Sequence, residues 1–196
     1  MRTKLVLAVM AVAAGVFAFT LVHALWYAPD MEVGDNAVAA AHAATPIDGG
    51  APSRITIPSL SIDANVQHVG IAYSGAVGVP SNFTDVAWYK YGAEPGETGS
   101  ALIDGHVDNG LSLAGVFKDL DSIQDGADIY IETVSSTKLH FKVTDVEEYP
   151  YQSVPMNELL SKTGTPRLAL ITCDGTWVQS QRSYDHRLVV YATLVD

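Results

Sequence analysis

One cysteine, Cys173, stands in a chain of 196 residues, so no disulfide can close within it and no multi-cysteine zinc site is available. Basic residues are also few: 11 Lys and Arg against 22 Asp and Glu, a net charge of −11. Phosphate binding needs clustered cations and these are well spread, so no nucleic-acid partner is expected. The acidity reads as solubility. The six histidines are scattered without ligand spacing, and neither a metal nor another cofactor is expected. Asp104, Asp108 and Asn109 cluster, but a turn or a supporting role behind a site suits them better than calcium does. No internal repeat is visible.

What the chain does have is one long apolar run, Leu5 to Tyr27, in which His23 is the only ionisable side chain. A helix of that length spans the roughly 30 Å hydrocarbon core of a bilayer. Arg2 and Lys4 precede it, and Asp30, Glu32 and Asp35 follow, which places the N-terminus in the cytoplasm and the remainder outside. A cleaved signal peptide has a shorter apolar core with small residues directly after it. Here Trp26 and Tyr27 close the run, as interfacial residues of a retained anchor do.

Three parts follow from composition: a cytoplasmic start and anchor over 1–27, a flexible linker over 28–53 rich in Ala, Gly, Asp and Pro, and a folded domain over 54–196. In the domain the hydrophobic period is two. Arg54 to Ile57, Leu60 to Ala64, Asp128 to Glu132 and Lys138 to Val143 alternate as half-buried strands do. Val86 to Tyr91, Ser100 to Gly105, Arg167 to Thr172 and Leu188 to Val195 supply more strands. Leu113 to Leu120 and Pro155 to Leu160 are candidate short helices. Many short strands with close turns predict a β-barrel or sandwich.

Three segments deliver reactive groups at the ends of strands. Ala101 to Asp104 leads into Gly105-His106, Leu168 to Thr172 leads into Cys173, and Arg187 opens the apolar run Leu188 to Ala192. A thiol becomes a strong nucleophile as its thiolate, which a nearby cation favours. An imidazole can carry a proton to a leaving amine. A guanidinium stays charged and can face developing negative charge. Taken singly, a strand-end Cys is a small hydrophobe, His106 a turn residue and Arg187 a surface charge. An idle thiol outside the cell is an oxidation liability, which favours a chemical role for Cys173. Of the other histidines, only His68 and His186 rival His106. His140 alternates with Leu139 and Phe141 and is expected to face solvent beside Lys138 and Lys142.

These segments resemble the sortase family. Leu170-Ile171-Thr172-Cys173 is similar to its Leu-x-Thr-Cys signature, and Gly105-His106 to its histidine site, 67 residues earlier (106 to 173). Val86-Ala87-Trp88-Tyr89 and Pro95 to Ser100 resemble the stretch ahead of that histidine, and Gly105-His106-Val107-Asp108 is closest to the class F branch. The resemblance covers about residues 54–195. It implies an all-β fold, a closed eight-stranded barrel with one or two short helices behind an N-terminal transmembrane helix. It also implies a transpeptidase that cleaves a sorting signal like Leu-Pro-x-Thr-Gly in secreted proteins. The acyl group passes through a thioester on Cys173 to an amine of a cell-wall precursor, or to water. His106, Cys173 and Arg187 would be catalytic, and Thr172 would contact the oxyanion or the substrate. Arg182, in the loop before Arg187, is the other candidate arginine. The linker lacks the Asp-Pro-aromatic lid motif of pilus-building members, which favours general surface anchoring.

Two other readings compete. A papain-like protease is disfavoured because Cys173 follows His106 and the Cys-Gly-Ser-Cys-Trp segment is absent. An anchored domain that binds surface glycan or protein without catalysis would use Trp88, Tyr89, Trp177 and Tyr184 as its face. The anchor reading is checked first: the chain should fractionate with membranes with its N-terminus intact. N-terminal sequencing that begins near Ala43 or Thr45 would show a cleaved leader instead.

Overall fold

The computed structural model describes residues 2–26, 50–72, 75–109 and 111–195. Residues 28–49, most of the expected linker, lie outside that set, as does Tyr27. Helix α1 spans Arg2–Trp26. At 1.5 Å per residue it is about 37 Å long. The stretch Val6–His23 has a mean hydropathy of 2.3 and none of it is buried against protein, so α1 is long and apolar enough to cross a membrane.

Eight strands form a closed barrel. They are β1 (Pro52–Ile57), β2 (Ile62–Val69), β3 (Val86–Tyr89), β4 (Ser100–Asp104), β5 (Asp128–Thr133), β6 (Lys138–Pro150), β7 (Arg167–Val178) and β8 (Ser183–Leu194). Around the barrel the order is β1-β2-β3-β4-β7-β8-β6-β5, and β5 closes onto β1. Most neighbours are antiparallel, but β2–β3 and β4–β7 are parallel. A short helix, α2 (Met156–Leu159), lies in the connection from β6 to β7. The eight-stranded barrel implied by the family resemblance is therefore present, with an apolar helix ahead of it.

The period of two has a direct physical cause: alternate residues point into the barrel and out of it. The inward rows include Ile55 and Ile57, Ala101 and Ile103, Leu168 and Leu170, and Leu188, Val190 and Ala192, which pack with Phe117 and Phe141 into one core. The outward rows of β4, β7 and β8 are apolar as well. Leu102, Ala169, Ile171, Val189 and Tyr191 form a second cluster with Leu159 of α2, flanked by Tyr149, Val154 and Met156. Burial on both faces explains why these three strands read as continuous apolar runs rather than alternating ones.

β6 runs on to Pro150, and Ser53, expected as linker, lies in β1 with Ala51 buried before it. Two further local expectations change. Leu113 to Leu120 forms turns and a 3-10 turn at Leu120–Ser122, not an α-helix. Its amides are taken elsewhere: Gly115 N–H donates to Val107 O at 2.9 Å, Val116 N–H to Phe83 O at 2.8 Å and Phe117 N–H to His106 O at 3.0 Å. The segment folds back on the His106 loop instead of onto itself. The second change is at β7 and β8. These run past Cys173 and Arg187 into a two-stranded ribbon that pairs as far as Val178 with Ser183. Neither residue therefore ends or begins its strand.

Gly105 sets how closely that loop can approach. It is buried, and a Cβ there would collide with the ring of Phe117. Gly105→Ala should therefore destabilise the domain by about 1–3 kcal/mol, the usual range for overpacking, as measured by denaturant unfolding. An unchanged midpoint would mean that the loop yields freely.

Candidate active site

Strand register brings the chemical groups together. On the antiparallel β7–β8 pair Cys173 lies directly opposite Arg187. On the parallel β4–β7 pair Asp104 is level with Ile171, and Gly105 N–H donates to Ile171 O at 3.1 Å. The ladder ends at Asp104, and His106 follows two residues later in the loop that leaves β4, on the side of β7 that leads to Cys173. Parity then decides which face they use. Ile171 and Val189 belong to the outer cluster, so Cys173 and Arg187, two residues further along, share its side, as does Asp104 two residues after Leu102. The candidate site is thus on the outer wall of the barrel, at the end of the apolar patch.

Each group is held in a definite way. Thr172 is buried, and its hydroxyl donates to Gly105 O at 2.8 Å, tying β7 to the loop that carries His106. The His106 ring packs 5.0 Å from Phe83, centroid to centroid, and its Nε2 lies 2.9 Å from Pro80 O. A carbonyl only accepts, so Nε2 carries the proton in the neutral ring and Nδ1 is left as an acceptor without a partner among the described residues. Among the described residues no hydrogen bond joins His106 to Cys173. The Arg187 guanidinium donates from Nη1 to Tyr184 O at 3.1 Å and to His186 O at 2.7 Å, and from Nη2 to Ser183 Oγ at 3.0 Å. It also lies over the Tyr151 ring at 4.5 Å. Of its five N–H groups, one on Nη2 and the Nε proton are left for another partner.

The remaining candidates sit elsewhere. Arg182 occupies the exposed turn at the tip of the ribbon with φ +49°, beyond Ser183. From Ser183 to Arg187 the strand advances about 14 Å, so the tip is far from the thiol. His68 Nε2 contacts Pro52 O at 2.7 Å and the ring meets Trp88 edge-on. His186 pairs with Asp185 at 2.9 Å. His140 points outward as expected, but it stacks on Tyr130 and meets Asp128 at 2.6 Å. Trp88 is buried, with Nε1 donating to Ala93 O at 3.0 Å, so it cannot join Trp177 and Tyr184 in a binding face.

The electrostatics are set by burial. Burial pushes the Cys173 thiol up to about 11; Arg187 opposes this, while Asp104, Asp108 and Asp174 add to it. Burial also lowers His106, against the Pro80 contact and Asp108. At neutral pH the pair therefore rests as thiol and neutral imidazole. Asp104 is a residue for which sequence reasoning allowed a turn or a supporting role behind the site, without a definite partner. Its carboxyl is raised by burial to about 7, with Arg187 opposing. The signal was present: a carboxylate at an outward position of an otherwise apolar strand.

A family model described as a sortase domain matches residues 55–195. Among solved structures the fold is similar to sortase A from Corynebacterium diphtheriae, at 23% identity and a TM-score of 0.58, over 74% of this chain and 61% of that one. It is also similar to a lid mutant of that sortase A, at 21% identity and 0.59, over 85% of this chain and 84% of that one. Sortase C-1 from Actinomyces oris gives 25% identity and 0.54, over 77% of this chain and 76% of that one. A search of curated proteins returns no match.

The opposing charges around the thiol can be read separately. Alkylation of Cys173, the only thiol, should titrate with a midpoint of about 11 in the unaltered chain. Asp104→Asn removes a charge that raises the thiol and should move that midpoint down. Arg187→Ala removes the charge that lowers it and should move it up. Shifts of the same sign in both variants would contradict this arrangement.

Proposed function

The chain belongs to the sortase family, and from that premise we propose that it is a cysteine transpeptidase with Cys173 as nucleophile, His106 as proton carrier and Arg187 at the oxyanion. Family membership supports a transpeptidase or acyltransferase function in general. The observation that carries the finer reading is the direct pairing of Cys173 with Arg187 across β7–β8.

The chemistry follows from the resting state. Because the thiol keeps its proton at neutral pH, His106 takes that proton on Nδ1 as Sγ attacks the carbonyl of a sorting signal. The carbonyl oxygen becomes an oxyanion, and the two uncommitted N–H groups of Arg187 are suited to receive it. Imidazolium then protonates the leaving amine, the C–N bond breaks, and a thioester to Cys173 remains. An acceptor amine attacks the thioester and loses a proton to His106, the C–S bond breaks, and His106 returns that proton to the departing sulfur, restoring the thiol and the neutral imidazole. Thr172 serves this site by fixing β7 against Gly105, since its one hydroxyl proton is already given there.

In the same reading the substrates are secreted proteins with a Leu-Pro-x-Thr-Gly-like C-terminal signal, and the acceptor is a cell-wall amine. Helix α1 holds the chain in the membrane with its start in the cytoplasm, the expected linker acts as the tether up to Ala51, and the barrel, whose first strand already includes Pro52 and Ser53, acts outside. Gly105-His106-Val107-Asp108 supports class F, and a linker without Asp-Pro-aromatic supports general anchoring over pilus assembly.

The test is turnover of sorting-signal peptides with and without amine acceptors. Cys173→Ala should abolish thioester formation and cleavage with the barrel intact. Losing one oxyanion donor costs about 10²–10³ in rate, so Arg187→Ala should fall by that factor, and Arg187→Lys should recover part of it. Arg182→Ala should be nearly silent. The reverse order for the two arginines would move the role to the turn.

A further inference from the structure

Tyr184 touches both halves of the candidate site. Its carbonyl accepts from Arg187 Nη1 at 3.1 Å, and its hydroxyl donates to Asp108 Oδ2 at 2.6 Å, across 76 residues of sequence. Asp108 lies two residues after His106 in a loop that is itself tightly closed. Asn109 is buried, and its Oδ1 accepts from Leu111 N–H at 2.9 Å and Leu113 N–H at 3.0 Å. Asp108 bridges to Ala114, and Gly115 N–H and Phe117 N–H close on Val107 and His106. A loop so knotted moves as one piece, and a pull on Asp108 is a pull on His106. On the other side the ring of Tyr184 is braced edge-on by Trp177, at 5.5 Å and 76°.

We infer that Tyr184 is a positioning residue, whose carbonyl grips the Arg187 guanidinium while its hydroxyl latches the His106 loop, so that both arrive at Cys173 in one register. Nothing else among the described hydrogen bonds joins the β7–β8 ribbon to the loop that follows β4. Without the latch, the histidine loop and the arginine strand would be aligned only by the barrel beneath them. The hydroxyl is a durable donor: the hydrogen bond to Asp108 pushes it up to about 12, so it keeps its proton over the working pH range. A hydrogen bond to a charged acceptor is also among the stronger ones available at a surface. The inference rests on the transpeptidase reading given above.

The test uses the full-length chain in membranes and the fluorogenic peptide Leu-Pro-Ala-Thr-Gly, with rates expressed per alkylatable Cys173. Tyr184→Phe removes the hydroxyl and leaves the carbonyl that holds Arg187. A small misplacement of a reacting group costs up to about 10²-fold, so kcat should fall about ten-fold or more, with KM changed by less than about two-fold. Asp108→Ala should also lose kcat, and adding Tyr184→Phe to it should cost nothing further, because the two act through one bond. A purely structural role would lower the melting temperature without that non-additive pattern in kcat. If the unaltered chain turns over no such peptide, the transpeptidase reading fails and the inference falls with it. If the unaltered chain is active while Tyr184→Phe keeps full kcat, or the two losses simply add, only the inference is overturned.

Discussion

The parallel pairing of β4 with β7 is the constraint on which the site depends. Asp104 level with Ile171 is a register, and a register shifted by one residue would send every side chain of one strand to the opposite face. In the observed register the loop leaving β4 starts alongside β7 at Ile171 and Thr172, just before Cys173. The buried Thr172 hydroxyl, donating to Gly105, pins that position at its last rung. The antiparallel β7–β8 register then fixes Arg187 opposite the thiol. β4, remote in sequence from β7 and β8, is thereby committed to one outer row with them.

That row explains the electrostatic character of the site. An outward position on a barrel is normally solvated, but here the connection from β6 to β7 covers the wall around Leu102, Ile171 and Val189. Groups at the edge of the covered patch are partly withdrawn from water, and burial heads the causes that raise Cys173 and Asp104 and lower His106. All three shifts favour the uncharged form. Arg187 is the fixed charge in their midst, and its hydrogen bonds to Tyr184, His186 and Ser183 are made with the ribbon rather than with the barrel. The local structure thus keeps a neutral thiol beside a permanent cation.

The ribbon itself departs from the barrel at a bulge between Asp174 and Trp177. Gly175 there has φ +81°, a conformation that glycine adopts without strain, and a Cβ would strike Asp185. The extra twist carries Trp177 and Tyr184 over toward the loop that follows His106, where Tyr184 meets Asp108. An irregularity one residue long therefore determines which loop the ribbon touches.

Much of this was legible along the chain. The period of two in Arg54 to Ile57 or Lys138 to Val143 reports burial of one face, and the unbroken apolar runs of β4, β7 and β8 report burial of both; these are local properties of a strand. The apolar run that forms α1 and the glycine before His106 were equally plain. The extension of β7 and β8 beyond Cys173 and Arg187 was not, because a ribbon outside the barrel buries neither face and leaves no hydrophobic pattern to follow. Nor could the segment Leu113 to Leu120 reveal that its amides would be claimed by Phe83, His106 and Val107. By itself the sequence determined where the barrel strands lie, which face of most of them is buried and which side chains are candidates for chemistry. The tertiary structure alone decided that β4 lies parallel to β7, that Asp104 shares the thiol's field and that Tyr184 reaches Asp108, because pairing and burial between distant segments are set by the closure of the whole barrel.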